Sequence, residues 1–285
     1  MPIHELISGS LISVVLLASS MTHAANEADS GQEALPIFDA HIHYNSDVRD
    51  AISPESAIQR LRALGIERAM VSSTDDEGTQ HLYRLAPDFV VPVLRPYRKP
   101  GTLQSWMYDE SVIPYVKERL KKYRYAAIGE FHLEGNEANT PVIREIVALA
   151  KQYGIMLHVH SDARAIEFIF RQDPDARILW AHAGFEDHVI TREMFDKHEN
   201  LWADLSFRYD IMFLEEIDAT WHKLLIEHAD RFLLGLDTYE PLRWMEIEEV
   251  MHWQEIVLEE LPDHAARKIA YENGAHMLEW FDDKQ

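Results

Sequence analysis

The stretch Ile37-Phe38-Asp39-Ala40-His41-Ile42-His43 decides how the chain is read. It starts as an apolar run of strand character and ends in two histidines at positions i and i+2. On an extended strand those two side chains share a face, so one cation can bind both. With 16 histidines in 285 residues, about one His-x-His pair arises by chance, and the motif alone decides little. Its position decides more, because other strand-like runs end the same way. YAAIG precedes Glu130, GIML precedes His158 and His160, RILWA precedes His182, and FLLGL precedes Asp237. Five strands that each end in an imidazole or a carboxylate suggest one shared metal site, since a barrel gathers its strand ends around one mouth.

Working outward, eight strand-like runs alternate with helical segments: IFDAHIH, IERAMVSS, FVVPVLR, YAAIGEFH, IMLHVH, RILWAH, NLWADLSF and RFLLGLD. Ser53-Pro54 reads as an N-cap and first-turn proline ahead of Ala57, Ile58, Leu61 and Leu64. Thr140-Pro141 repeats the device ahead of Ile143, Ile146, Val147 and Leu149, and Gly154 stops that helix. VIPYVKERLKKY and ARAIEFIFRQ read as helices too, and Trp244 to Leu261 and AARKIAYENGAHMLEWF supply the last ones. Mostly apolar strands alternating with helices describe a parallel sheet covered by helices, and eight such units predict a (β/α)8 TIM barrel. The first strand is not followed by G-x-G-x-x-G, so a dinucleotide site has no support.

The N-terminal 24 residues read as a signal peptide. LISVVLLASS is an apolar stretch of the right length, and Thr22-His23-Ala24 offers a small-residue cleavage site, although the usual basic n-region is missing. Residues 25–35 read as a polar linker and 36–285 as the barrel. The expected location is therefore exported, periplasmic or secreted. The apolar stretch is too short for a membrane span. The chain has no cysteine, which excludes disulfides, thiolate ligands and a thiol nucleophile and leaves nitrogen and oxygen to hold any metal. A net charge of −22 repels phosphate backbones and anionic membranes, so no nucleic acid is expected. A small-molecule substrate and a further copy of the chain remain as partners.

Each candidate has a competing structural reading. Glu130 follows Ile128-Gly129, where glycine allows close approach; its alternative to metal ligation is a salt bridge to an arginine at the mouth. His160 lies nearer the mouth than His158, so His160 is the expected ligand and His158 a packed or hydrogen-bonded core residue. Asp237 could instead cap the following helix. His132, two residues past Glu130, reads as a substrate contact or as a rim residue. Arg95, Arg98 and Arg208 follow strands and can clamp a substrate carboxylate or neutralise acidic loops, with Arg95 and Arg208 the expected substrate-binding pair. Trp180, Trp202 and Tyr239 could line the pocket, although aromatic residues on strands more often serve the core. His188, His198, His222, His228 and His252 fall in helical stretches and read as surface or core residues.

Together these segments resemble the amidohydrolase superfamily, most closely its amidohydrolase-related and TatD-like branches, over nearly the whole chain after the leader. IFDAHIH resembles the first-strand metal motif, AIGEFHL the fourth-strand glutamate motif, and HVHSDA, WAHAGF and LLGLDTY the fifth, sixth and eighth strand ends. ENGAHML is similar to the closing stretch of such barrels. The resemblance implies that His41, His43 and Asp237 hold one metal and that Glu130 bridges to a second held also by His160 and His182. Mononuclear branches exist, in which the sixth-strand histidine acts on substrate or water, so His182 stands between ligand and catalytic group. Glu130 occupies the place of a carbamylated lysine used elsewhere in the superfamily, and no carbamate is expected.

The expected activity is metal-dependent hydrolysis of a carbonyl compound (ester, lactone or amide). Zinc, or alternatively manganese, would activate water, with Asp237 as base and His182 helping to polarise the carbonyl. The alternatives are a decarboxylase on the same barrel and a non-catalytic exported barrel that binds a metal or ligand. A TatD-like nuclease is disfavoured by the charge.

Overall fold

A computed structural model describes residues 35–283. The expected leader and most of the linker lie outside the described residues. Seven strands succeed one another with helices between them: β1 (Ile37–His43), β2 (Ile66–Ser72), β3 (Val90–Leu94), β4 (Ala127–His132), β5 (Met156–His160), β6 (Ile178–Trp180) and β7 (Leu201–Asp204). A short antiparallel hairpin follows, β8 (Met212–Phe213) with β9 (Glu216–Ile217), and then β10 (Phe232–Leu233). The main sheet runs β1-β2-β3-β4-β5-β6-β7-β10, every pair parallel. A parallel bridge between Asp39 and Leu234 brings its two edges together, with Ala40 N–H donating to the Leu234 carbonyl at 2.9 Å. The molecule is thus a (β/α)8 TIM barrel, and its eight barrel strands lie in the eight runs read from the sequence.

The helix signals act as their chemistry requires. Ser53 Oγ accepts from Ser56 N–H at 3.2 Å at the start of helix Pro54–Ala63, and Thr140 Oγ1 accepts from Ile143 N–H ahead of Pro141–Tyr153. Gly154 ends the latter helix at φ 64°, a conformation glycine adopts without a Cβ penalty. Helices Val112–Lys122, Ala163–Gln172 and Ile247–Glu259 match the remaining readings.

Two apolar layers build the core. Outward-facing strand residues such as Ile66, Val90, Leu157 and Ile178 pack beneath the helices. Inside the barrel, Phe38, Met70, Val91, Val93, Met156 and Leu179 form a plug that Met277, Leu278 and Phe281 of the C-terminal helices close from below. This plug separates the closed end from the end where the strands exit.

Strand phase is not uniform. The β1–β2 register shifts between Asp39 and Ile42, and the β4–β5 register shifts between Ile128 and Phe131. These irregularities let Phe38 and Ala40 join the plug while His41 and His43 still turn inward, and they place Glu130 inside together with Ala127. Bulges re-aim side chains in this way at barrel rims.

Candidate metal centre

At the strand exits His41 and His43 of β1 meet Glu130 of β4 and Asp237, four residues beyond β10. His41 Nε2 and His43 Nε2 lie 3.1 Å apart. Asp237 Oδ1 is 3.7 Å from the first and 3.3 Å from the second. Glu130 Oε1 is 3.7 Å from His41 Nε2, and Oε2 is 3.3 Å from His43 Nε2. All four residues are buried. The far side of each β1 ring is anchored: His41 Nδ1 lies 3.2 Å from Asp204 Oδ2, and His43 Nδ1 lies 2.8 Å from the Ser72 carbonyl oxygen. A carboxylate and a carbonyl only accept, so a proton on each Nδ1 satisfies these contacts and turns each Nε2 lone pair toward the shared space, with Arg95 Nη1 also 3.3 Å from His43 Nδ1. Facing lone pairs at that separation repel unless a cation or a proton lies between them. The donor set of imidazole and carboxylate therefore fits a divalent cation, with His41, His43 and Asp237 as one group.

A second group, Glu130, His160 and His182, is equally close-set. His160 Nδ1 lies 2.9 Å from Glu130 Oε1. His182 Nδ1 faces the Ser206 carbonyl oxygen at 2.9 Å, which leaves its Nε2 toward Asp237 Oδ2 at 3.6 Å. The six residues expected as ligands are thus brought together. His158 sits deeper, fully enclosed, with Nε2 facing Asp204 Oδ2 at 3.5 Å. It forms a third close group with His41 and Asp204.

Local backbone sets these positions. Gly129 is obligatory: a Cβ there would stand 2.2 Å from the His158 carbonyl oxygen. His182, Ala183 and Gly184 form a left-handed turn at φ 56°, 48° and 62°, and Asp237 has φ 45°. Non-glycine residues in this region carry strain of about 1–3 kcal/mol, and such residues gather at functional sites.

Charge distribution follows burial. Burial works against a charged His41, but the carboxylates of Asp237, Asp204 and Glu130 outweigh it and hold the ring well above its ordinary value. Burial also opposes ionisation of Asp204, yet the His41 charge and hydrogen bonds from the histidines keep that carboxyl well below its usual range. Asp237 is likewise held low, chiefly by His41 and His43 against the effect of burial, and stands ionised. Burial lowers His182, so it is neutral at physiological pH. Asp39, pushed up to about 7 by burial, accepts from the His41 and Leu236 N–H groups and ties β1 to the segment leading to Asp237.

The substrate-side candidates divide. Arg95 lines a cavity of about 360 Å³ over the ring, together with His132, Phe185, Phe207 and Tyr239. Its Nη2 donates to Glu130 Oε2 at 2.7 Å and its Nε to the Glu130 carbonyl at 3.2 Å. The salt bridge weighed as the alternative for Glu130 is therefore present, alongside the imidazole contacts. Tyr97 OH lies 3.0 Å from His132 Nδ1 and accepts from His132 N–H, fixing that ring at the cavity wall.

Arg208 is a correction. Its guanidinium turns away from the cavity, donates to both oxygens of Asp210 and to the His182 and Glu186 carbonyls, and stacks over Trp221. With those donors engaged it braces the left-handed turn rather than meeting a ligand. Arg98 pairs with Asp109 outside the site. Trp180 is buried, donating to the Ser161 carbonyl, and Trp202 packs against the plug; Tyr239 alone of the three lines the cavity. The helical histidines His188, His198, His222, His228 and His252 lie away from the cavity.

Asp204 went unread in the sequence, although it too ends an apolar strand, in LWAD. Its Oδ1 accepts from Ser206 N–H at 3.0 Å and from His182 N–H at 3.3 Å, and Ser206 Oγ reaches His182 Nδ1 at 2.8 Å. Asp204 and Ser206 together anchor histidines from β1 and β6.

No curated protein sequence matches the chain. Among solved structures it is similar to an uncharacterised TIM-barrel protein of Bordetella bronchiseptica, with TM-score 0.63, 14% identity, and 86% of this chain and 98% of that one covered. A candidate 2-pyrone-4,6-dicarboxylic acid hydrolase of Pseudomonas putida is similar at TM-score 0.61 and 15% identity, covering 86% and 97%. A counterpart of Acinetobacter baumannii, with citric acid bound, gives 0.56 and 10%, covering 85% and 99%. At these identities the likeness concerns the fold. The amidohydrolase family model (Amidohydro_2) matches residues 100–280, the stretch that supplies Glu130, His160, His182 and Asp237, while β1 completes the ring from outside it. A barrel with this ring and a family match over most of its length give one assignment: the chain belongs to the amidohydrolase family of metal-dependent hydrolases.

Proposed function

We propose that the protein hydrolyses an ester, lactone or amide bond of a small molecule with a divalent cation, zinc or manganese, held at the strand exits. The observation that carries this reading is the pair of Nε2 atoms at 3.1 Å with both Nδ1 atoms anchored. His41, His43 and Asp237 would hold one ion. Glu130 presents Oε2 to His43 and Oε1 to His160, which suits a carboxylate shared with a second ion on His160 and His182. When bound, such a cation supplies Lewis acidity toward water and toward a carbonyl oxygen.

The chain's own residues do the rest. Asp237, ionised and partly open to the cavity, accepts the proton of the attacking water and returns it to the leaving group. Neutral His182, fixed by Ser206, presents Nε2 toward the space beside Asp237. Arg95 and His132 stand at the cavity wall, where substrate is oriented, and Phe185, Phe207 and Tyr239 shield the reacting bond from bulk water. The apolar stretch 11–20 supports export of this activity.

The test is Asp237→Asn, assayed on metal-loaded protein against ester, lactone and amide substrates with metal content measured in parallel. Turnover should fall about 10³-fold while the protein stays folded. Full activity in that variant would remove Asp237 from the proton transfer, and protein that binds no divalent metal would remove the reading as a whole.

A further inference from the structure

Beyond the ring lies a second and larger chamber of about 690 Å³. It shares Leu103, His132, His160 and Phe185 with the cavity over the ring, so the two volumes adjoin. A substrate whose reacting bond sits over the ring can extend one arm into this chamber. The chamber walls carry Glu134, Glu137 and Asp162, and no lysine or arginine.

The hydrogen bonds of these carboxylates come from neutral groups. Tyr108 OH donates to Glu137 Oε1 at 3.1 Å and Glu134 N–H to Glu137 Oε2 at 2.8 Å. Asp162 Oδ1 accepts from the N–H groups of Gly135 and Ala165, each at 2.9 Å. The neighbouring cation, Arg164, turns to Asn136 and the Phe168 ring. In the inner cavity Arg95 is committed to Glu130. The substrate path therefore has a negative outer end, and the guanidinium lining it is already paired with Glu130.

A separate observation points the same way. Ser161 lines the chamber, is only 4% exposed, and its Oγ has no hydrogen-bond partner among the described residues. A buried hydroxyl left unpaired costs about 1–3 kcal/mol, so a donor from a bound molecule would complete it. We propose that this chamber is a substrate subsite for a protonated amine, held by Glu134, Glu137 and Asp162 with Ser161 Oγ as an acceptor. It rests on the hydrolase reading in that the rest of the substrate lies over the ring. An anionic arm meets three carboxylates and a chain of net charge −22, and is rejected.

Three amides with the same six-carbon chain test this: ε-aminocaproamide, hexanamide and the monoamide of adipic acid. Their hydrolysis and their binding, by ligand-induced thermal shift, are measured on metal-loaded full-length protein at low and high salt. The ammonium-tailed amide should bind about tenfold more tightly than hexanamide, the carboxylate-tailed one more weakly, and the spread should shrink with salt. In Glu134→Gln/Glu137→Gln and in Asp162→Asn, which keeps its capping oxygen, the ammonium preference should collapse toward unity. Binding with that preference but without hydrolysis of any amide or ester supports the subsite and removes the hydrolase reading. Ammonium and methyl tails that bind alike overturn the subsite, whether or not turnover is seen.

Discussion

The floor of the site and the chamber outside it use the same residue types for opposite purposes. On the floor every charge faces another group of the protein: Asp204 under His41, Glu130 between Arg95 and His160, Asp237 beside both β1 histidines. In the outer chamber the carboxylates of Glu134, Glu137 and Asp162 face open space with neutral partners. The difference teaches that enclosure decides what a carboxylate can do. Fully enclosed, it must be compensated within the fold or by a cation. At an open wall it is free to select a ligand.

The largest effect that would sharpen this contrast comes from removing metal. Chelation should abolish turnover and lower the melting temperature, and return of zinc or manganese should restore both. With free metal at a hundredfold its Kd the stabilisation is about 2.7 kcal/mol. The pH dependence should change as well. In metal-free protein the raised His41 contributes stability fully present below its unfolded value of 6.5 and lost as pH rises through the higher folded value. The depressed Asp204 contributes stability present above 3.8 and lost as pH falls through its lower folded value. Chelated protein should therefore weaken on both sides of a maximum. Loaded protein should lack the alkaline decline, because the cation replaces the His41 proton. Melting curves across pH with and without metal check this, and identical alkaline limbs would break the comparison.

Next in size is Asp204→Asn. It leaves the shape of the floor but loses the charge that orients His41, and metal affinity should fall about 10–100-fold, with excess metal restoring turnover. Competition with a chromophoric chelator measures it. Arg208→Ala follows, expected to cost about 2 kcal/mol of folding stability by leaving the buried His182 carbonyl and the half-buried Glu186 carbonyl without a donor. Its KM should stay near wild type, whereas a substrate-binding arginine would raise KM strongly. The smallest effect, about 1 kcal/mol, is expected for Ser53→Ala, which removes the N-cap of helix Pro54–Ala63, away from both regions. Denaturant unfolding should show that loss with metal affinity unchanged.

Much of the molecule was legible because it rests on local periodicity. Apolar runs of strand length, Ser53-Pro54, Thr140-Pro141 and Gly154 each act through neighbours a few residues away, and they place strands and helices without reference to the rest of the chain. That His158 lies deeper than His160 was readable for the same reason, since depth along a regular strand follows residue number. Arg95 and Arg208 were not separable. Each follows a strand, and only the surroundings show one at the cavity and the other folded back on Asp210 and Trp221. Asp204 carried the same strand-end signal as Asp237 and was passed over, because no spacing rule distinguishes a carboxylate that reaches an open site from one that supports a histidine below it.

By itself the sequence determined the order of eight strands and the identities of the imidazoles and carboxylates at their ends, since strand length, amphipathic period and end chemistry are local. The tertiary structure alone decided which way those ends turn. The irregular registers of β1 and β4 aim His41, His43 and Glu130 inward, and the left-handed turn at His182 brings a β6 side chain toward Asp237. Those geometries depend on contacts between separate segments of the chain, such as Asp39 with Leu236 and Gly129 against His158, and residue spacing carries no record of such contacts.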